Sequence, residues 1–167
     1  MHLPFCIIAV LSDDYLFHLS ILRRKVRTYE IPLTPNDHDL AELVRIHSEP
    51  SVSKYISISE NYFEYVIDAK DVVYYKIVAD GKTVGGIHCE QSGDLVYLSI
   101  CIDAEHRRLG IAENALRQLF VKLRTNMNTV EISINDTNFP SIQLFKKLCF
   151  IEIGKEDELI TYRMSFT

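Results

Sequence analysis

Apolar positions fall into two kinds of run along this chain. Short, dense runs rich in β-branched and aromatic residues read as strands: Val26–Leu33, Val72–Ala79, Thr83–Glu90, Leu95–Ile102, Thr129–Asn135, Phe150–Ile153 and Leu159–Phe166. Longer stretches repeat at helical spacing. Leu40, Leu43, Val44 and His47 share one face. Ahead of them stands Thr34-Pro35-Asn36-Asp37, where Thr34 can cap, Pro35 fits a first turn and Asp37 resembles a capping box. Glu49-Pro50-Ser51 ends that helix. Ser59 caps a second helix with Phe63, Val66, Ile67 and Lys70 on one side; this aromatic-rich face is either core or a substrate wall. Ile111, Ala112, Ala115, Leu116, Leu119, Phe120 and Leu123 predict a helix over 109–125. Asn138 and Pro140 start a final helix, with Ile142, Phe145 and Leu148 on one face.

The turns fix the connections. Asp80-Gly81 is a hairpin signal, and Gly85-Gly86 marks a bulge or a close approach of backbone. Ser92-Gly93-Asp94 turns the chain again. The strand, helix and strand spanning 95–135 form a right-handed crossover between parallel strands. The chain therefore reads as an α/β domain: antiparallel strands first, one parallel crossover, then a closing hairpin.

The first 25 residues stand apart. Leu3–Leu11 has the length of an export-signal core, but no Lys or Arg precedes it and Ser12-Asp13-Asp14 follows it. We read it as an extra strand or an arm packed on the domain. Tyr15–Leu22 fits helix or strand, and Arg23, Arg24, Lys25 and Arg27 form a solvated basic cluster. Residues 1–25 are thus an extension and 26–167 a single domain.

Composition narrows the function. With 47% hydrophobic and 25% charged residues the chain is ordinary globular material. A net charge of −5 argues against a nucleic-acid binder, which needs a basic face. No apolar run approaches the roughly 20 residues that span a bilayer. Cys6, Cys89, Cys101 and Cys149 lie far apart in apolar surroundings, without the spacing of a zinc site. Reduced, buried cysteines and a cytoplasmic setting are expected, with no bound metal.

One stretch carries chemistry. Leu95–Ile102 is a buried strand, Asp103–Arg108 is polar, and Gly110-Ile111-Ala112 opens a helix. A helix N-terminus behind a basic, glycine-containing turn suits an anion, because its first N–H groups are unpaired and its dipole is positive. Gly110 lets phosphate oxygens approach the backbone, and Arg107 and Arg108 supply charge.

This stretch, with a second one, resembles the GNAT superfamily of acetyl-CoA-dependent N-acetyltransferases. The family motif Arg/Gln-x-x-Gly-x-Gly/Ala is matched by Arg107-Arg108-Leu109-Gly110-Ile111-Ala112, preceded by Ile102-Asp103-Ala104-Glu105-His106. An asparagine-rich loop and a helix ending near Gly-Phe are matched by Asn135-Asp136-Thr137-Asn138 through Leu144–Phe150. The resemblance covers about residues 26–166. It implies a mixed sheet of about seven mostly antiparallel strands, one parallel crossover and about four helices. It implies acetyl-CoA as co-substrate and an amine as acceptor. The two parallel strands would splay apart, and the pantetheine arm would bond to the backbone of Ile100, Cys101 and Ile102. The residues from Arg107 to Ala112 (Leu109 and Ile111 included) would hold the pyrophosphate, and Asn138 and Phe145 would also contact the cofactor. Family members often dimerise, so a homodimer is possible.

Acetyl transfer needs a neutral amine, a donor to the oxyanion and help for the leaving thiolate. The resemblance implies backbone N–H near Cys101 or Ile102 as the oxyanion donor. The family's acid is often a tyrosine where Phe145 stands here, its glycine before Phe150 is Cys149, and its acidic residue on the central strand is Tyr97. Tyr97 is therefore the first candidate acid. Glu90 and His88, two apart and hence on one face of their strand, are candidates for the base, or else exposed polar residues near a strand end. The alternative is a non-catalytic acyl-CoA-binding sensor or interaction domain. The acceptor would be chosen by residues 35–70 and the final hairpin. That region carries Glu49, Glu60, Glu64 and Asp68, which suit a cationic amine.

Overall fold

The computed structural model describes residues 27–166. The expected strand at Leu3–Leu11, the Tyr15–Leu22 segment, Cys6 and most of the basic cluster lie outside the described residues.

The elements are β1 Thr28–Pro32, α1 Leu40–Ser48, α2 Pro50–Ser53, α3 Tyr62–Asp68, β2 Val72–Ala79, β3 Lys82–Ser92 and β4 Leu95–Ile102. A 3-10 turn, Ala104–His106, leads to α4 Ile111–Leu123, β5 Thr129–Asn135, α5 Phe139–Lys147, β6 Ile151–Glu156 and β7 Leu159–Ser165. The strands form one sheet in the order β1-β2-β3-β4-β5-β7-β6. β4 and β5 run parallel; every other neighbouring pair is antiparallel. The expected mixed sheet with a single parallel crossover is what forms.

Helices cover both faces. On one, α4 and α5 bury Ile111, Ala115, Leu116, Leu119 and Phe145 against Ile87, Val96, Leu98, Val130 and Ile132. On the other, α1 and α3 bury Leu43, Phe63 and Val66 against Val72 and Tyr74, while Ile46 and Val52 meet Cys101. The aromatic face of α3 is thus core in Phe63, whereas Tyr65 is exposed.

Three local expectations are corrected. The first helix begins at Leu40, not near Thr34. Asp37 N–H donates to the Thr34 carbonyl in a turn, and Asn36 has φ 62. The carboxylates of Asp37 and Asp39 reach Lys76 Nζ on β2, at 2.8 and 2.6 Å, instead of capping the helix. The second helix begins at Tyr62, with Tyr62 N–H bonded to the Ser59 carbonyl in the turn before it. A fifth helix, α2, forms because Pro50 ends α1 and also opens a new turn, a position that suits proline.

Gly85 and Gly86 combine both anticipated features. The register of β2 on β3 shifts between Ile77 and Val78, leaving Val84 as the extra residue of a bulge. A Cβ on Gly86 would stand 2.0 Å from the Tyr74 hydroxyl, and one on Gly85 would stand 2.2 Å from the Cys101 carbonyl oxygen. Only glycine lets β3 lie this close to both neighbours.

Candidate active site

β4 and β5 form a fork. They pair at Leu95–Thr129, Val96–Val130 and Tyr97–Glu131, and no further. From Leu98 onward β4 keeps β3 alone. Asp103 N–H donates to the Val84 carbonyl on β3. Strand alternation then turns the backbone groups of Ile102, Ile100 and Leu98 the other way, into the fork. The Ile102 carbonyl confirms that direction by accepting from Arg107 Nε at 2.9 Å. A cleft of about 660 Å³ occupies the fork, with Ile100, Cys101 and Ile102 on one wall and Asn138, Ser141 and Leu144 on the other.

The turn into α4 closes one end of this cleft. Gly110 caps α4 with φ +77, and no side chain among the described residues caps the helix. The first bond back to Gly110 comes from Asn114 N–H, so the first-turn N–H groups have no helical acceptor. A missing side-chain cap costs about 1 kcal/mol. Each large side chain buried by α4, such as Ile111, Leu116 and Leu119, is worth about 1.5–3 kcal/mol, so the helix stands without one. Gly110 is needed for its positive φ and not for space inside the protein, since a Cβ there would meet nothing within 4 Å.

The two arginines divide the work. Arg107 is tied into the structure: it donates to Ile102 O and, at 2.9 Å, to Ser51 Oγ, clipping α2 onto the end of β4. Arg108, exposed and at φ 64, is available to a ligand. The turn is also anchored by Asp103, which accepts from Arg45 at 2.9 Å and lies 2.7 Å from His106 Nδ1. A hydrogen bond shared with Glu49, then those with Arg45 and His106, hold the Asp103 carboxyl well below its ordinary range. Lys147 adds charge at the cleft while paired to Glu113 at 2.6 Å.

Asn138 both lines the cleft and caps α5, accepting from Ser141 N–H at 3.4 Å. Behind Cys101 lies a polar cluster under α1. His47 Nε2 is 2.9 Å from the Tyr74 hydroxyl and 3.6 Å from Cys101 Sγ, while buried Nδ1 has no hydrogen-bond partner among the described residues. Burial, reinforced by nearby His88, lowers the His47 pKa to about 4, so the ring is neutral. Burial raises the Cys101 thiol to about 11.

Against these positions, the residues expected from sequence separate. Ile100, Cys101, Ile102, Arg107, Arg108, Gly110, Ile111, Ala112 and Asn138 all line the cleft. Leu109 and Phe145 do not. Leu109 is 54% exposed, turned outward between Arg108 and Gly110. Phe145 is fully buried, edge-on to Phe150 with centroids 5.1 Å apart, because α5 turns that face to the core. Tyr97 opposes Glu131 at the closed end of the fork, and Glu90 opposes Tyr97 across β3. Four residues along β4 put Tyr97 about 13 Å from Cys101. Neither Tyr97 nor Glu90 borders the cleft. His88, paired with Ser99, is one alternation closer; Tyr62 lies 2.8 Å from its Nδ1 and Glu90 3.9 Å from its Nε2.

The chain matches the profile of the acetyltransferase (GNAT) family over residues 39–150. It belongs to that family. Solved structures also share its fold. A domain from Methanocaldococcus jannaschii superposes with a TM-score of 0.74 at 19% identity, covering 84% of this chain and 99% of that one. The ribosomal-protein-S18-alanine N-acetyltransferase from Escherichia coli gives 0.67 at 18%, covering 84% and 95%. The aminoglycoside acetyltransferase AAC(6')-Ib, solved with coenzyme A, gives 0.70 at 14%, covering 83% and 95%. At such identities the likeness is one of fold. A search of curated proteins finds no match. No helix among the described residues is long and apolar enough to cross a membrane.

As a GNAT domain the chain departs from the family motif at Cys149, and the structure explains why glycine is usual there. Cys149 follows α5 with φ 66, the left-handed conformation that glycine adopts without strain. Sequence reasoning missed Ser51, Tyr55 and Lys147 as cleft residues. Tyr55 follows α2, a helix the apolar pattern did not reveal. Lys147 lies on the polar side of α5, where spacing alone reads it as solvated.

Proposed function

We propose that this GNAT-family protein moves an acetyl group from acetyl-CoA to a primary amine, by direct attack within a ternary complex. The observation that carries this reading is the fork: from Leu98 to Ile100 the β4 edge turned toward β5 is open, and it shares one cleft with an uncapped helix N-terminus. The pyrophosphate would rest on the N–H groups of Gly110–Ala112, with Arg108 as its free cation. The pantetheine arm would run along β4, bonding to Ile100. Ile100 N–H is the oxyanion donor in this reading, because alternation turns Cys101 toward β3.

His88 is the better base of the two candidates on β3. Its side chain is only 16% exposed, and burial lowers its pKa despite the neighbouring Glu90, so it stays neutral and can accept a proton. The exposed acidic residues Glu60, Glu64 and Asp68 would favour a cationic acceptor. Coenzyme A release measured over a panel of amines tests the reading. No turnover by a protein that binds acetyl-CoA would defeat it.

The second reading, binding without turnover, draws on one observation: Phe145 and Tyr97 place no proton donor in the cleft. His88→Gln separates the two. Loss of turnover with unchanged acetyl-CoA affinity supports catalysis, whereas a binding module shows no turnover to lose.

A further inference from the structure

One ion pair joins the two helices that border the cleft. Glu113 stands in the first turn of α4, next to Ala112, and Lys147 is the last residue of α5. Both side chains line the cleft, and Lys147 Nζ lies 2.6 Å from Glu113 Oε2. The other carboxylate oxygen, Oε1, accepts from Arg117, one turn further along α4, at 3.1 and 3.2 Å. Arg117 itself stands outside the cleft lining. The Lys147 bond is the largest influence on the Glu113 carboxyl and, with Arg117, holds it below its ordinary range against burial. The carboxylate is therefore ionised at neutral pH.

This charge occupies a contested place. The positive end of a helix favours the Glu113 carboxylate and a bound phosphate alike. A phosphate on the N–H groups of Gly110–Ala112 would meet a negative charge one residue on, and an ammonium already bonded to that charge. The Lys147 side chain is 63% exposed, so its pairing is worth no more than about fivefold in an equilibrium. Its stem is flexible, and a phosphate offers it more charge than a carboxylate does. Arg107, by contrast, is held by the Ile102 carbonyl and Ser51.

We propose that Lys147 exchanges partners when coenzyme A binds: its ammonium leaves Glu113 for a cofactor phosphate, and Glu113 tunes the affinity by competing for it. This rests on the acetyl-CoA reading above. Arg117 makes the exchange cheap, because Glu113 keeps one cation after Lys147 departs.

Titration calorimetry of coenzyme A and dephospho-coenzyme A tests this with Glu113→Gln, Lys147→Met and the double variant. Glu113→Gln should bind coenzyme A about fivefold tighter. It should also unfold at a lower temperature, since it loses ion pairs to Lys147 and Arg117. Tighter binding by a less stable protein is not what a purely structural role produces. Lys147→Met should bind about tenfold more weakly. The same change should cost several-fold more in the Glu113→Gln background, where Lys147 has no competitor to leave. Dephospho-coenzyme A lacks the 3′-phosphate. Equal losses with both ligands assign the contact to the pyrophosphate, and a loss with coenzyme A alone assigns it to the 3′-phosphate. If the natural protein binds coenzyme A and Glu113→Gln binds it no tighter, or Lys147→Met binds it unchanged, the exchange falls while the cofactor reading stands. If the natural protein binds neither acetyl-CoA nor coenzyme A, both fall together.

Discussion

The imidazole of His47 lies 2.9 Å from the hydroxyl of Tyr74, and that pair sits directly behind Cys101 on the central strand. Its folded pKa is about 4 because it is buried, against about 6.5 when exposed. Between those values the unfolded chain holds a proton that the folded chain refuses. The contribution is therefore complete above pH 6.5 and is lost as pH falls toward 4, by about 3 kcal/mol at most. Urea midpoints at pH 7 and pH 5 should drop less for His47→Leu than for the natural protein; parallel drops would contradict the assignment.

Lys76 is buried on β2 between two carboxylates. Burial alone would raise the Asp37 pKa, but the Lys76 bond overrides it and the carboxyl is lowered; Asp39 is lowered first by the same ammonium. Lys76→Met leaves two uncompensated acids and should cost about 3–5 kcal/mol at pH 7. Both acids have depressed folded pKa values, so their stabilisation is present above the ordinary carboxylate range and lost as pH falls through it. The gap between natural protein and variant should narrow below about pH 4. Equal gaps at pH 7 and pH 3.5 in chemical denaturation would rule this out.

Gly110 separates backbone strain from ligand charge. Gly110→Ala meets no atom but must hold φ +77, which costs about 1–2 kcal/mol. Gly110→Glu shares that strain and adds an anion at the uncapped start of α4. Titration calorimetry should show acetyl-CoA affinity reduced modestly by the alanine and by more than about 10²-fold by the glutamate, a loss of the size expected from repulsion where an anion is bound. Equal affinities would move the phosphate site elsewhere.

Phe145→Tyr would restore the family's hydroxyl in name only. The ring is fully buried against Phe150, so an added hydroxyl is desolvated without a partner, at about 1–3 kcal/mol. Thermal unfolding should register the loss and turnover should not rise. A tenfold rate increase would show instead that α5 presents this position to the cleft.

Residues close in sequence were read well from sequence. The β4 strand, the Arg107–Ala112 turn and the apolar stripe of α4 declare themselves because strand alternation, glycine at positive φ and helical spacing are local effects. The start of α1 was misread because Asp37 and Asp39 answer to Lys76, which is distant in sequence but adjacent in the sheet. Glu90 and His88 read as sharing one face of their strand, and their side chains do lie 3.9 Å apart. What spacing could not supply was their position along the fork.

By itself, then, the sequence determined the order of the strands, the single parallel crossover and the glycine turn into α4, since each follows from neighbours in the chain. Tertiary structure decided where β4 and β5 part. That point depends on how helices from distant segments pack on each strand, and it leaves Tyr97 at the closed end while bringing Ile100 to the open cleft. It also sank Phe145 into the core. Both outcomes rest on packing between residues far apart in the chain, which no local pattern encodes.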